Sequence, residues 1–256
     1  MDTLIPRHKT ILDQARIDGR VDVDSLAEMF GVTPQTIRKD LNYLCEIEAL
    51  ERIHGGAIYP SGVSNYAYEA RRRHAADQKQ AIGQATAALI PDNASLIINI
   101  GTTTEQVSQA LTRHDGLMVI TNNLNVANIF HSSSNAEVVI AGGVLRKEDG
   151  GLVGEATADF IRQFKVDFAI IGASAIDPDG TLLDYDVREV RVAQAILQSA
   201  RKTILVSDSM KFERTAPVRI GHLSQVDYFV TDSLPDDEVV SLCQDAKSEI
   251  IVAKPL

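Results

Sequence analysis

Thr33-Pro34-Gln35-Thr36-Ile37-Arg38-Lys39-Asp40-Leu41, followed shortly by Arg52-Ile53-His54-Gly55-Gly56-Ala57, is the stretch that decides how the N-terminal part folds. Thr33 has the side chain to cap a helix, and Pro34 suits the first helical position. Ile37, Leu41 and Leu44 recur at helical spacing and mark a buried face. Gln35, Thr36, Arg38, Lys39 and Asn42 fall off that face. Amides, hydroxyls and cations of this kind meet base edges and phosphates in a DNA groove.

Working outward, Ile11, Leu12 and Ala15 predict a first helix that ends at Gly19. Asp24 is placed to cap a second helix carrying Leu26, Ala27 and Phe30, and Gly31-Val32-Thr33 forms the turn into the third. Three helices with that turn make a helix-turn-helix unit. Downstream, Leu50-Glu51-Arg52-Ile53, Gly55-Gly56 and Ala57-Ile58-Tyr59 predict a hairpin wing with Arg52 and His54 on it. Residues 1–60 hold seven Lys and Arg against ten Asp and Glu. The unit is therefore slightly acidic, so its cations must share one face. A dimer or higher oligomer is then needed to bind double-stranded DNA well.

The 256 residues suffice for two domains, and an apolar content of 45% supports real cores. The net charge of −10 argues against non-specific nucleic-acid or membrane binding by the whole chain. No apolar run of about 18 residues predicts a membrane span. Met1-Asp2-Thr3-Leu4 lacks the charged-then-apolar order of a secretion signal, so a cytoplasmic location is expected. Cys45 and Cys243, far apart, read as free thiols in a reducing compartment. Neither they nor the six histidines show metal-ligand spacing, and no cofactor or metal is expected.

Pro60, Ser61, Gly62, Ser64 and Asn65 mark residues 61–78 as a linker. Its Arg71-Arg72-Arg73-His74 run reads either as a solvated helix start or as extra DNA phosphate contacts. In residues 79–256, apolar runs at 96–100, 118–120, 138–141, 168–171, 204–206, 229–230 and 250–252 alternate with helical stretches at 104–111, 190–199 and 236–246. Such alternation predicts a mostly parallel α/β sheet covered on both faces. Ligands of such sheets bind at the carboxyl ends of the strands.

Those ends are rich in small polar residues. Asn99 and Gly101-Thr102-Thr103-Thr104 lead from a strand into a helix N-terminus, where free amides and hydroxyls suit a phosphate. Thr121, Asn122 and Asn123 follow the second strand, and Gly142-Gly143 the third. Asp184 and Asn99 can accept from hydroxyl groups, and Lys211 supplies a point charge for an anion.

TPQTIRKDL followed by RIHGGA resembles the DeoR family of bacterial transcriptional repressors. The resemblance implies an N-terminal winged helix-turn-helix that contacts operator DNA through Thr33, Gln35, Thr36, Arg38, Lys39, Arg52 and His54. It also implies a C-terminal effector domain that binds a phosphorylated polyol or sugar, with the fold of ribose-5-phosphate isomerase and coenzyme A transferases. The match runs through the second half, at Thr121-Asn122-Asn123-Leu124-Asn125, Ala141-Gly142-Gly143-Val144-Leu145-Arg146 and Asp149-Gly150-Gly151-Leu152-Val153-Gly154-Glu155. Within the family these motifs imply glycerol 3-phosphate as the inducer, a homodimer or homotetramer, and no catalytic residues. Two other functions compete. An isomerase would need a carboxylate base, but Asp177-Pro178-Asp179-Gly180 reads as a turn. An interaction module without a ligand would leave the polar strand ends without a purpose.

Overall fold

The computed structural model describes residues 4–18, 20–47, 49–53, 55–58, 68–73, 75–133 and 135–254. The chain divides into two compact units, Met1–Ala67 and Tyr68–Leu256.

In the first unit, helix α1 (Pro6–Asp18) and strand β1 (Arg20–Asp22) precede α2 (Val23–Phe30) and α3 (Pro34–Glu46). Gly31 ends α2, and Thr33 caps α3 by accepting from the Thr36 amide, with Pro34 at the first helical position. The cap of α2 differs from expectation: Asp22, not Asp24, holds that position, and its side chain makes no capping bond. Strands β2 (Glu51–Ile53) and β3 (Gly56–Ile58) form the predicted hairpin. β1 pairs with the other edge of β3, giving a three-stranded wing that the sequence did not announce. Ile11, Leu26, Ile37, Leu41, Leu44 and Leu50 are buried together in its core.

The second unit opens with α4 (Tyr68–Arg73), inside the stretch read as linker, and α5 (Ala76–Ala87), which begins within it. Then β4 (Ser95–Ile98), α6 (Thr102–Leu111), β5 (Met118–Thr121), α7 (Leu124–Ser133) and β6 (Glu137–Ile140) run outward to one side. The short hairpin β7 (Val144–Leu145) and β8 (Leu152–Val153), followed by α8 (Glu155–Ile161), leads back to β9 (Val166–Ile171). β9 pairs with β4 on its other side. A small antiparallel sheet follows, from β10 (Ala175–Ile176), β11 (Thr181–Asp184) and, later, β13 (Val218–His222). Between them come α9 (Val187–Gln198) and β12 (Ala200–Val206), and after them β14 (Tyr228–Thr231), α10 (Asp237–Ala246) and β15 (Glu249–Val252).

The main sheet has seven strands in the order β15-β14-β12-β9-β4-β5-β6, and every pairing is parallel. All seven coincide with the predicted apolar runs. Alternation within each run feeds two cores. Ile97, Ile120, Ala169, Ile171, Leu205 and Phe229 lie in one core, with α8, α9 and α10. Leu96, Ile98, Val119, Ile170, Ile204 and Val230 lie in the other, with α5, α6 and α7. Burial on both faces explains runs without polar alternation. No helix among the described residues is long and apolar enough to cross a membrane.

The strand order reverses between β4 and β9. At such a switch point, neighbouring crossovers leave opposite faces and open a crevice beyond the carboxyl ends.

Candidate DNA-reading surface and effector site

On α3, Ile37, Leu41 and Leu44 are fully buried, while Gln35, Arg38, Lys39 and Asn42 are exposed and Thr36 half-exposed. Thr33 and Thr36 share a 3.0 Å hydroxyl contact at the helix start. Arg52 is exposed on the wing and donates to the Gly56 carbonyl, and His54 lies outside the described residues. Asp40, one of the ten acids of this unit, is buried. Arg7 from α1 clasps it with two bonds of 2.6 and 3.1 Å, and His8 Nε2 reaches it at 3.1 Å. The His8 ring stacks on Tyr43, with centroids 5.0 Å apart. Burial pushes the Asp40 carboxyl up, but the Arg7 and His8 bonds outweigh it and hold it below the usual aspartate range. One of the ten acids is thus neutralised inside the unit, and its partner ties α1 to the helix that carries the exposed cations.

In the second unit, Asn99 joins the two sides of the strand-order switch: its amide donates to the Ile170 carbonyl at 3.0 Å. Gly101 caps α6 at a φ of 152°, a region L side chains rarely adopt, and leaves the first-turn amides of α6 unpaired within the helix. α6 starts two residues earlier than predicted, so Thr102, Thr103 and Thr104 all lie in its first turn.

The polar strand ends then divide by role. Thr104 Oγ1 donates to the Asn99 and Gly101 carbonyls at 2.8 Å, so it stabilises the turn rather than facing a ligand. Thr121 Oγ1 donates to the Ile98 carbonyl at 2.7 Å. Asn122 Nδ2 donates to the Leu152 carbonyl, and Asn123 bridges Glu105 and the start of α7. Gly143 leaves room for its own fold: a Cβ there would lie 1.9 Å from Thr157 Oγ1, which itself bonds the Gly142 carbonyl. At Gly142 a Cβ would meet open space. The Oδ1 atoms of Asn99 and Asn122 are buried without a hydrogen-bond partner among the described residues.

Most of the charge at this site was missed by the sequence reading. Arg71 on α4 and Arg214 act on both Lys79 on α5 and Lys211 in the 3₁₀ turn Ser209–Glu213. Desolvation, then Arg214 and Arg71, push the Lys79 ammonium down to about 8 against the opposing pull of Asp208. Desolvation, then Arg214, Lys79 and Arg71, push Lys211 down to about 7. Lys79 and Lys211 thus each feel Arg214 and Arg71 as well as Asp208, a local excess of positive charge that suits an anion.

Beside it lies a carboxylate group. Arg146 binds Asp149 at 2.6 and 2.9 Å, Glu189 at 2.5 Å and Asp186 at 3.4 Å. Burial opposes the Arg146 charge, but Asp149 and Glu189 outweigh it and raise its pKa. Burial and repulsion from Asp184 push the Glu189 carboxyl up, against the pull of Arg146. Burial raises Asp184 as well, against bonds from the Tyr185 amide and Ser174 and the charges of Arg71 and Lys211. Arg71 serves this site: its guanidinium pairs with Asp149 at 3.3 Å. Arg72, next in the basic run, is exposed.

Three helices bearing a hairpin wing, followed in the chain by a parallel α/β unit with a charged strand-end crevice, make a DNA-binding regulator that senses a ligand. Residues 7–63 match the DeoR-like helix-turn-helix domain, and residues 74–233 match the DeoR C terminal sensor domain. The chain belongs to the DeoR family of transcriptional regulators and is not an enzyme. It is 46% identical to the glycerol-3-phosphate regulon repressor of Haemophilus influenzae, over 96% of each chain. It is 44% identical to the protein of that name from Escherichia coli K12, over 93% of this chain and 95% of the other. It is 38% identical to the E. coli HTH-type transcriptional repressor CsqR, over 96% and 95%. Among solved structures, a Pyrococcus horikoshii translation initiation factor eIF-2B matches 87% of this chain and 86% of its own, at 17% identity and a TM-score of 0.46. Ribose 5 phosphate isomerase A from Neisseria gonorrhoeae matches 52% of each chain, at 12% identity and a TM-score of 0.38. Both likenesses are too loose to carry function.

Proposed function

We propose that this protein represses genes of glycerol 3-phosphate metabolism. It binds operator DNA through Thr33, Gln35, Thr36, Arg38 and Lys39 of the α3 region, with Arg52 and His54 on the wing. It leaves the operator when glycerol 3-phosphate fills the strand-end crevice. The observation that carries this reading is the grouping of Lys79 and Arg71, joined at 2.6 Å through the Arg71 carbonyl, with Arg214 and Lys211, whose charges bear on theirs. A phosphate dianion relieves their mutual repulsion. The first-turn amides of α6, with Gly101, Thr102 and Thr103, supply further donors to it. The two ligand hydroxyls find acceptors in Asn99 Oδ1 and Asp184, and Asn122 Oδ1 lies at the neighbouring strand end.

The acidic balance of the DNA-reading unit supports a homodimer or homotetramer, since one copy offers few phosphate contacts. The setting is the cytoplasm. The test is to titrate purified protein onto promoter DNA of glycerol-utilisation genes at fixed salt, with and without glycerol 3-phosphate. Release by glycerol 3-phosphate, but not by glycerol or inorganic phosphate, is the expected result. Release by a different sugar phosphate alone overturns the effector assignment and keeps the regulator.

A further inference from the structure

α4 is fastened by polar side-chain contacts to residues next to the strand ends. Tyr68 OH donates to Glu105 Oε2 at 2.7 Å. Asn125 Nδ2 bridges Tyr68 OH, Glu105 Oε1 and the Asp149 carbonyl, each at 3.0 Å. The Arg71 guanidinium pairs with Asp149, and the Arg71 carbonyl accepts from Lys79 Nζ at 2.6 Å. A six-residue helix is too short to persist on its own hydrogen bonds. Its place is therefore set by these polar ties. Each tie ends on a group of the strand-end site: Glu105 in the first turn of α6, Asn125 in that of α7, Asp149 beside Arg146, and Lys79 of the cationic group.

Position in the chain gives this helix a second property. It is the first described element of the sensor unit, whose boundary falls between Ala67 and Tyr68. Among the described elements of that unit, it is the nearest in sequence to the wing.

We infer that α4 is the transmission element of the sensor, and that Tyr68 is a positioning residue that holds it in the operator-binding state. The inference rests on the effector reading above. A ligand shifts an equilibrium only through interactions that differ between the two states. Here that difference has a named carrier. In the structure Lys79 bonds the Arg71 carbonyl; a phosphate dianion is a charged and hence stronger acceptor than a neutral carbonyl. As Lys79 and Arg71 turn to the phosphate, their ties to α4 and Asp149 weaken, while the Tyr68 bond to Glu105 is unaffected.

The test uses the full chain and glycerol 3-phosphate, with three readouts: effector affinity by calorimetry, operator affinity by fluorescence anisotropy, and the ratio of operator affinities without and with effector. Tyr68→Phe removes the hydroxyl and keeps the ring. The expected result is effector affinity equal to or tighter than wild type, weaker operator binding without effector, and a ratio well below the wild-type value, which for a regulator of this kind falls in the range of about 5–150. An unchanged ratio in Tyr68→Phe overturns the inference. Should that variant not fold, amide exchange of the wild-type protein decides. Exchange across residues 68–73 is expected to quicken on adding glycerol 3-phosphate while residues 237–246 stay unchanged. Unchanged or slowed exchange at 68–73 overturns the inference. A wild-type protein that binds no glycerol 3-phosphate by calorimetry fails the effector reading itself, a distinct outcome.

Discussion

Raising the pH from 7 to 9 should weaken effector binding far more than the chemistry of the effector can explain. A phosphate monoester has its second pKa near 6, so above pH 7 the ligand is already a dianion. The protein is what changes. Lys211 sits at about 7 and Lys79 at about 8 without ligand. A bound dianion favours both ammonium forms and raises both pKa values, so the complex holds more protons than the free protein. By linkage, affinity must fall as pH rises. If binding restores both lysines toward their ordinary range, Lys211 contributes about tenfold per pH unit above 7, and Lys79 about tenfold per unit above 8. Affinity then drops by roughly two to three decades between pH 7 and 9. Calorimetry in two buffers of different ionisation enthalpy should register the uptake of about one proton or more per site at pH 8. Lys211→Arg, whose guanidinium stays charged, isolates the share of that lysine and should flatten the lower part of the profile. Stability moves the opposite way. In the free fold these depressed lysines bind fewer protons than the unfolded chain between about 7 and 10.5, so they make it more stable as pH rises through that window. A flat affinity from pH 7 to 9 with no proton uptake would falsify the contact between these lysines and the phosphate.

Three further outcomes can be checked. Asp40→Ala should destabilise the DNA-reading unit by about 1–3 kcal/mol, by stranding Arg7 and His8, and lower operator affinity with it; chemical denaturation and anisotropy measure both. The native contribution of Asp40, whose carboxyl is depressed, is present above the unfolded aspartate pKa of about 4 and is lost as pH falls through the lower folded value. Gly143→Ala should cost about 1–3 kcal/mol in urea unfolding, because its Cβ would lie 1.9 Å from Thr157 Oγ1; an unchanged midpoint would show that this turn relaxes freely. Arg38→Ala should abolish specific operator binding while calorimetry with glycerol 3-phosphate stays normal, and loss of both would contradict the division of labour between the units.

The sheet was legible in the sequence because strands buried on both faces are apolar without a break, and seven such runs became seven strands. The recognition helix was legible through its cap and its stripe of Ile37, Leu41 and Leu44. β1 was not, since three residues carry no periodicity. The charged network hid for another reason. Arg71, Lys79, Glu105, Arg146, Asp149 and Glu189 are scattered along the chain and each looks like an ordinary solvated charge. Two of them, and Asp40 in the first unit, nonetheless sit on the apolar stripe of their own helix. Asp40 lies three residues after Ile37 and four before Leu44; Lys79 precedes Ile82 by three; Glu189 precedes Val192 by three and Ile196 by seven. A charged residue on a buried stripe implies a partner inside, and that rule finds three of the missed residues without coordinates.

The strand order has a consequence for synthesis. β4 cannot complete its pairing until β9 arrives, because β9 is its neighbour on one side although some seventy residues separate them in the chain. The small N-terminal unit, with its own core, needs no such delay. At about 5–20 residues per second, roughly a hundred residues pass between the two events, on the order of ten seconds. During that interval the growing chain carries a finished reading head and an unfinished receptor. A nascent copy is deaf to its signal until the middle of the sheet has closed.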